Sequence, residues 1–189
     1  MQLDPATGWC QGISHRPSPN FNARPAGEVS LLVLHNISLP PGCFGTGNAQ
    51  RLFQNCLDPT EHPFFQEIAD LRVSAHFLIE RDGAVTQFVS TLDRAWHAGV
   101  SCFCERENCN DFSIGIELEG TDDQPFTEAQ YQALIPLCQL LQRHYPAITP
   151  DRVCGHSDIA PQRKTDPGPF FDWRRLVAAS ICTETRSVM

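Results

Sequence analysis

No stretch of this 189-residue chain stays apolar for long enough to cross a bilayer, so a helical membrane span is excluded. Basic runs are missing as well, and the net charge is −8. Both features argue against nucleic acid or an anionic membrane as partner. Repeats and low-complexity segments are absent, which excludes solenoid, fibrous and disordered classes. The stretch from Met1 to Cys10 has neither the basic start nor the apolar core of an export signal, so the expected compartment is the cytoplasm. At this length one domain spanning residues 1–189 is expected, burying roughly 70% of its unfolded surface, with a frayed tail over 183–189.

Cysteine, by contrast, is plentiful. Nine scattered cysteines, an odd number, point to reduced thiols in a reducing compartment. Cys102, Cys104 and Cys109 are close in sequence but lack a fourth ligand and the paired spacing of a structural zinc site. Cys43, Cys56, Cys138, Cys154 and Cys182 read as small buried or half-buried residues. None of the nine opens a helix beside a histidine, which weighs against a cysteine hydrolase.

The densest chemistry lies between Gly155 and Pro169, where an imidazole (His156), an ammonium (Lys164) and a carboxylate (Asp166) share one short stretch. Neutral imidazole and carboxylate both suit a borderline cation such as zinc. Lys164 and Asp166 are two apart, so in an extended piece they project to one side, and Pro167 and Pro169 stiffen the backbone beyond them. Upstream, Val29–Leu34 is a short β-prone run with His35 at its end. A lone histidine there would ordinarily be a satisfied strand cap. Together with His156 and Asp166 it reads as a metal ligand.

A third element is the segment Phe112–Gly120. Alternation places Phe112, Ile114, Ile116 and Leu118 on one face and Ser113, Gly115, Glu117 and Glu119 on the other. Small neighbours leave room beside Glu117 for a ligand or a water. Burial would raise its pKa toward the range of a general base. An ordinary wet strand face is the competing reading.

Five segments in this order, Leu34–Gly42, Arg72–His76, Arg94–Gly99, Asn110–Gly120 and Lys164–Pro169, resemble the zinc-dependent N-acetylmuramoyl-L-alanine amidases related to peptidoglycan-recognition proteins. Within that family the chain is most similar to the cytoplasmic amidases of cell-wall recycling that act on 1,6-anhydro-N-acetylmuramoyl-L-alanine. The resemblance runs from about Gly8 to Leu176. It implies one catalytic zinc held by His35, His156 and Asp166, with Glu117 and Lys164 as catalytic side chains. It also implies a muropeptide as substrate and a chain acting as a monomer. Asn36, Arg72, His97 and Arg106 are candidate substrate-binding residues, the arginines through bidentate contacts with peptide carboxylates. Asn108 stands where the family often carries an arginine. A metal-free binding module of the same fold would be expected to lack one of the ligands or Glu117, and an amidase acting on intact wall would need an export route.

The expected fold is a mixed α/β sheet flanked by helices. A Pro- and Gly-rich loop over Ser38–Gly47 is expected to form a wall of the cleft, followed by helical pieces over Asn48–Cys56 and up to Leu71. Strands Ser74–Ile79 and Val85–Val89 should form a hairpin at Arg81–Gly83. Thr127 and Gln130 form a capping box for a helix reaching His144 with a kink at Pro136, and Asp172 caps a last helix through Ala179. His76 reads as structural, Trp96 as core, and His15, His62 and His144 as surface residues.

Overall fold

In the computed structural model, which describes residues 1–25 and 27–183, a six-stranded mixed sheet forms the centre. Its spatial order is Val153–Gly155, Leu31–Ile37, Ser113–Glu119, Phe77–Ile79, Val85–Gln87 and Ser14–His15. The first four run parallel, and the Phe77–Ile79/Val85–Gln87 pair is the antiparallel hairpin expected from Asp82-Gly83. Most of the expected frayed tail, residues 184–189, lies outside the described residues.

The two central strands are buried on both faces, which is why Leu31–Leu34 reads as an unbroken apolar run. Leu32, Leu34, Ile114, Ile116 and Leu118 pack with Leu134, Leu137, Cys138 and Leu141 of the helix Glu128–His144. Both hydrogen bonds of the Thr127/Gln130 capping box are present at its start. The helix passes Pro136 without a break. Pro136 and Gln132, whose carbonyl loses its donor, are both exposed, so water can replace the missing bond. Asp172 caps the last helix, Trp173–Ala178, by accepting from Arg174 N–H.

The opposite face carries the site. Leu31 and Val33 pack there with Cys154, Ile159 and Phe112, which precedes the Ser113–Glu119 strand and so does not share the Ile114 face that alternation gave it, and Leu78 packs with Phe53, Phe65 and Phe88. The short helices Asn48–Phe53 and Pro63–Glu67 cover this face; each is shorter than its sequence segment suggested. Glu119 is buried rather than wet. Its carboxylate accepts from Gly45 N–H at 2.6 Å and Arg81 N–H at 3.2 Å, fastening the 38–47 loop to the hairpin.

Several sequence expectations need correction. The His35 strand continues to Ile37, because Asn36 and Ile37 pair with Leu118 and Glu119, so His35 lies within the strand and not at its end. Cys43 and Cys56 are exposed, since both sit in turns outside the packed layers, whereas Cys138, Cys154 and Cys182 are buried. Three two-stranded ribbons were not anticipated: Phe21–Ala23 pairs with Asp93–Ala95 some seventy residues on, and the other two are only two residues per strand, too short to leave a periodic pattern. Trp96 is half-buried, with its indole N–H donating to Asn22 Oδ1 at 2.8 Å, and so belongs to neither the core nor the cleft.

Candidate active site

Strand register assembles the site. Parallel pairing sets His35 directly opposite Glu117, and the alternation that buries Leu34 and Ile116 against the long helix turns both polar side chains to the other face. On the far side, Gly155 pairs with Leu34, so the next residue, His156, emerges beside His35. His156 opens a one-turn helix, His156–Ile159, absent from the sequence reading; Asp158 holds its start by accepting from Gly155 N–H at 2.7 Å. The loop then returns, and Ser157 N–H donates to the Asp166 carbonyl at 2.9 Å. Gly168 (φ +81°) turns the chain against Asp122, where a Cβ would lie 2.5 Å from the Asp122 Cα. The site therefore lies at the carboxyl ends of parallel strands, where α/β sheets leave an open crevice.

Three acceptor atoms converge there. His35 Nδ1, His156 Nδ1 and Asp166 Oδ2 are separated by 3.0, 3.1 and 3.1 Å. Among the described residues this is the one cluster of histidine, cysteine or carboxylate groups that could hold a metal ion. The Cys102–Cys109 segment does not form one. Burial lowers the His35 pKa to about 4, so the ring is neutral near pH 7. His156 Nε2 lies 3.0 Å from the Ala98 carbonyl, which can only accept, so the proton sits on Nε2 and the Nδ1 lone pair faces the cluster. With His35 in the same tautomer, two lone pairs and a carboxylate oxygen face one another and repel unless a cation lies between them. The donor set, two imidazoles and one carboxylate with a side open, is that of a catalytic zinc site.

Glu117 faces this cluster. It is 9% exposed, its Oε2 has no hydrogen-bond partner, and burial, with repulsion from Asp166, raises its pKa well above the usual range despite Lys164. Lys164 and Asp166 both line the same cleft, about 340 Å³, as their two-residue spacing suggested. One wall is apolar, built from Leu39, Leu52, Phe53, Phe64, Ile68 and Val73. Loop residues Ser38 and Leu39 contribute to it, as expected of the segment after His35. No cysteine lines the cleft, which removes the geometric basis for a cysteine nucleophile.

The candidate substrate residues separate into two groups. Asn36 lines the cleft, but its amide is engaged, donating to Asp122 Oδ1 at 2.7 Å and the Pro167 carbonyl at 3.2 Å. His97 is both lining and packing, placed under His35 with its Nδ1 at 2.9 Å from His35 Nε2. Arg72 does not line the cleft. Leu71 and Val73 face it, so alternation turns Arg72 outward, where it donates to the Ala69 and Leu71 carbonyls. Arg106 lies elsewhere, stacked 3.9 Å from the Phe112 ring centre and paired with Glu28 at 2.9 Å. Asn108 is also remote from the cleft. Its backbone is left-handed (φ 58°), a conformation asparagine tolerates better than arginine. His76 is structural: Nδ1 accepts from Gly115 N–H and Nε2 faces the Asp93 carbonyl.

The room expected beside Glu117 is not free. A Cβ on Gly115 would lie 2.5 Å from His97 Cγ, so the glycine seats the imidazole and no ligand. Gly115→Ala is expected to cost about 1–3 kcal/mol by overpacking and to weaken metal retention, measured by thermal melting and metal content. Asn110, Ala98 and Ser113, which surround this ring, lay in segments the sequence reading singled out, but their contacts with His97 and its neighbours cross between segments and escaped it.

A family model described as N-acetylmuramoyl-L-alanine amidase matches residues 25–169. The chain is 58% identical over 182 residues to the 1,6-anhydro-N-acetylmuramyl-L-alanine amidase AmpD of Enterobacter cloacae, covering 96% of this chain and 97% of that one. It superposes on a crystal structure of an AmpD derivative with a TM-score of 0.91 at 54% identity, covering 97% of this chain and all of the other. A complex of the amidase AmiD from E. coli with anhydro-N-acetylmuramic acid-L-Ala-D-gamma-Glu-L-Lys matches with a TM-score of 0.62 at 33% identity, over 89% of this chain and 62% of that one. With the family model covering most of its length and a buried His-His-Asp cluster beside a buried glutamate, the chain belongs to the N-acetylmuramoyl-L-alanine amidases.

Proposed function

We propose that this chain hydrolyses the amide between the lactyl group of 1,6-anhydro-N-acetylmuramic acid and the L-alanine of its stem peptide. The observation that carries the chemistry is the convergence of His35 Nδ1, His156 Nδ1 and Asp166 Oδ2 beside the unpartnered Oε2 of Glu117. Zinc bound here would be held by His35, His156 and Asp166 and would supply Lewis-acid polarisation of the scissile carbonyl and a lowered pKa for water. Glu117 takes the proton of the attacking water on Oε2 and passes it to the departing alanine amine. Its burial favours this role, because a raised pKa brings it closer to that of the groups it must serve. Lys164, on the same cleft, faces the negative charge that develops on the carbonyl oxygen. The apolar wall receives the uncharged parts of the substrate and excludes water.

The anhydro sugar is supported by the relatives that carry that activity in their names and cover nearly their whole length with this chain. No described helix is long and apolar enough to cross a membrane. Resemblance to the recycling amidases favours the bacterial cytoplasm. A competition between equal amounts of anhydro-muropeptide and its reducing-sugar counterpart, read by mass spectrometry, tests the substrate. Release of peptide almost only from the anhydro form is expected. Equal release from both would retain the amidase chemistry and discard the recycling role.

A further inference from the structure

We infer that the dipeptide His97–Ala98, clamped by Asn110, orients both imidazoles of the metal site. The inference rests on the metal-ligand reading above and extends it to residues that touch no metal. A ligand imidazole must present a lone pair on one nitrogen, so the other must carry the proton and needs an acceptor. His35 comes from a strand and His156 from the short helix that follows another strand, yet both acceptors come from neighbouring residues. The Ala98 carbonyl lies 3.0 Å from His156 Nε2, and His97 Nδ1 lies 2.9 Å from His35 Nε2.

The tautomers follow from this arrangement. With His35 Nδ1 on the metal, its Nε2–H can only donate to His97 Nδ1. His97 must then carry its proton on Nε2, and that nitrogen finds Ser113 Oγ at 3.1 Å. Ser113 and the glycine that makes room for the ring, Gly115, are alternate residues of the Glu117 strand. The ring is therefore held by two residues of the strand that carries Glu117, Ser113 through a hydrogen bond and Gly115 through close packing.

Asn110 holds the dipeptide itself. Its side-chain carbonyl accepts from His97 N–H at 3.1 Å and from Ala98 N–H at 2.8 Å, and the residue is 6% exposed. One amide oxygen thus fixes the position of both acceptors at once. His97 was a candidate for substrate contact; the geometry assigns it to positioning, with Asn110 behind it.

The test is zinc affinity by chelator competition, set beside thermal melting. His97→Phe keeps a flat ring against Gly115 but offers no acceptor, and is expected to weaken zinc binding roughly 10–100-fold. His97→Asn places an amide oxygen near the position of Nδ1 and is expected to recover most of that loss. Asn110→Ala is expected to weaken zinc similarly, while Asn110→Asp, which still accepts twice, binds more tightly than the alanine variant. Wild-type affinity in His97→Phe overturns the inference. So does an Asn variant as weak as the Phe variant, which would leave packing alone as the role of the ring. Should the variants misfold, nitrogen NMR of zinc-loaded wild-type protein decides. A proton on His97 Nε2 with Nδ1 bare supports the inference, and the reverse tautomer overturns it. Failure of wild-type protein to bind zinc would sink the metal reading itself and this inference with it.

Discussion

Glu117→Gln is expected to lower turnover by roughly two to four decades while the protein keeps its metal. The substitution preserves the shape and burial of the side chain but removes the base whose Oε2 has no other partner. Glu117 is not one of the three converging ligands, so metal content should not change. A second consequence distinguishes this residue from a structural one. Unfolded, Glu117 ionises near 4.5; folded, burial and Asp166 hold its pKa well above that. Above pH 4.5 the folded chain keeps a proton the unfolded chain releases, so stability declines as pH climbs toward the folded value. Glutamine has no such proton to keep. Metal-free Glu117→Gln should therefore melt higher than metal-free wild-type protein, by a margin that is larger at pH 8 than at pH 4.5. Wild-type turnover in the variant would end the base assignment.

Removing the metal is the second large effect. Chelation is expected to abolish turnover, and added zinc to restore it, because Lys164 can face the carbonyl charge but no group in the cleft can lower the pKa of the attacking water as the metal does. At a zinc concentration 100-fold above its dissociation constant, binding contributes about 2.7 kcal/mol to the folded state. For a chain of this length that corresponds to a melting-temperature drop of roughly 5–11 °C on stripping. Asp166→Asn should behave like the stripped protein and respond poorly to added zinc, since a neutral amide replaces the anionic ligand. Against the Glu117 trend, the share of the stripped protein's stability that His35 contributes should be lost as pH falls from about 6.5 toward 4, read as the difference in melting between wild-type protein and His35→Phe. His35 stays neutral down to about pH 4 when folded, whereas the unfolded chain protonates it near 6.5. Proton uptake then favours unfolding across that window. Full turnover in protein shown to be metal-free would refute the metal role outright.

Much of the site was visible in local chemistry. His35, Glu117, His156, Lys164 and Asp166 stood out because ionisable groups interrupt apolar strands or crowd one stiff loop, and such groups are rarely left in those places without a partner. The sheet, the hairpin at Asp82-Gly83 and the capped helix to His144 were legible for a related reason. Each is written in period-two or helical spacing, in turn residues or in a cap, all within a few positions. The wrong readings were equally local. Arg72 and Arg106 have the right chemistry for carboxylates, but alternation turns one outward, and Glu28 and Phe112 engage the other.

What the sequence by itself determined was the set of reactive groups and the strands and helix that would carry them. Tertiary structure alone decided their geometry. Register placed His35 opposite Glu117 and Gly155 beside Leu34, and close packing of His97 on Gly115 supplied one imidazole acceptor while the Ala98 carbonyl supplied the other. Those contacts join residues 58 to 121 positions apart or depend on the absence of a single Cβ. They are set by which strands pair and how tightly the interior fills, and no local periodicity records either.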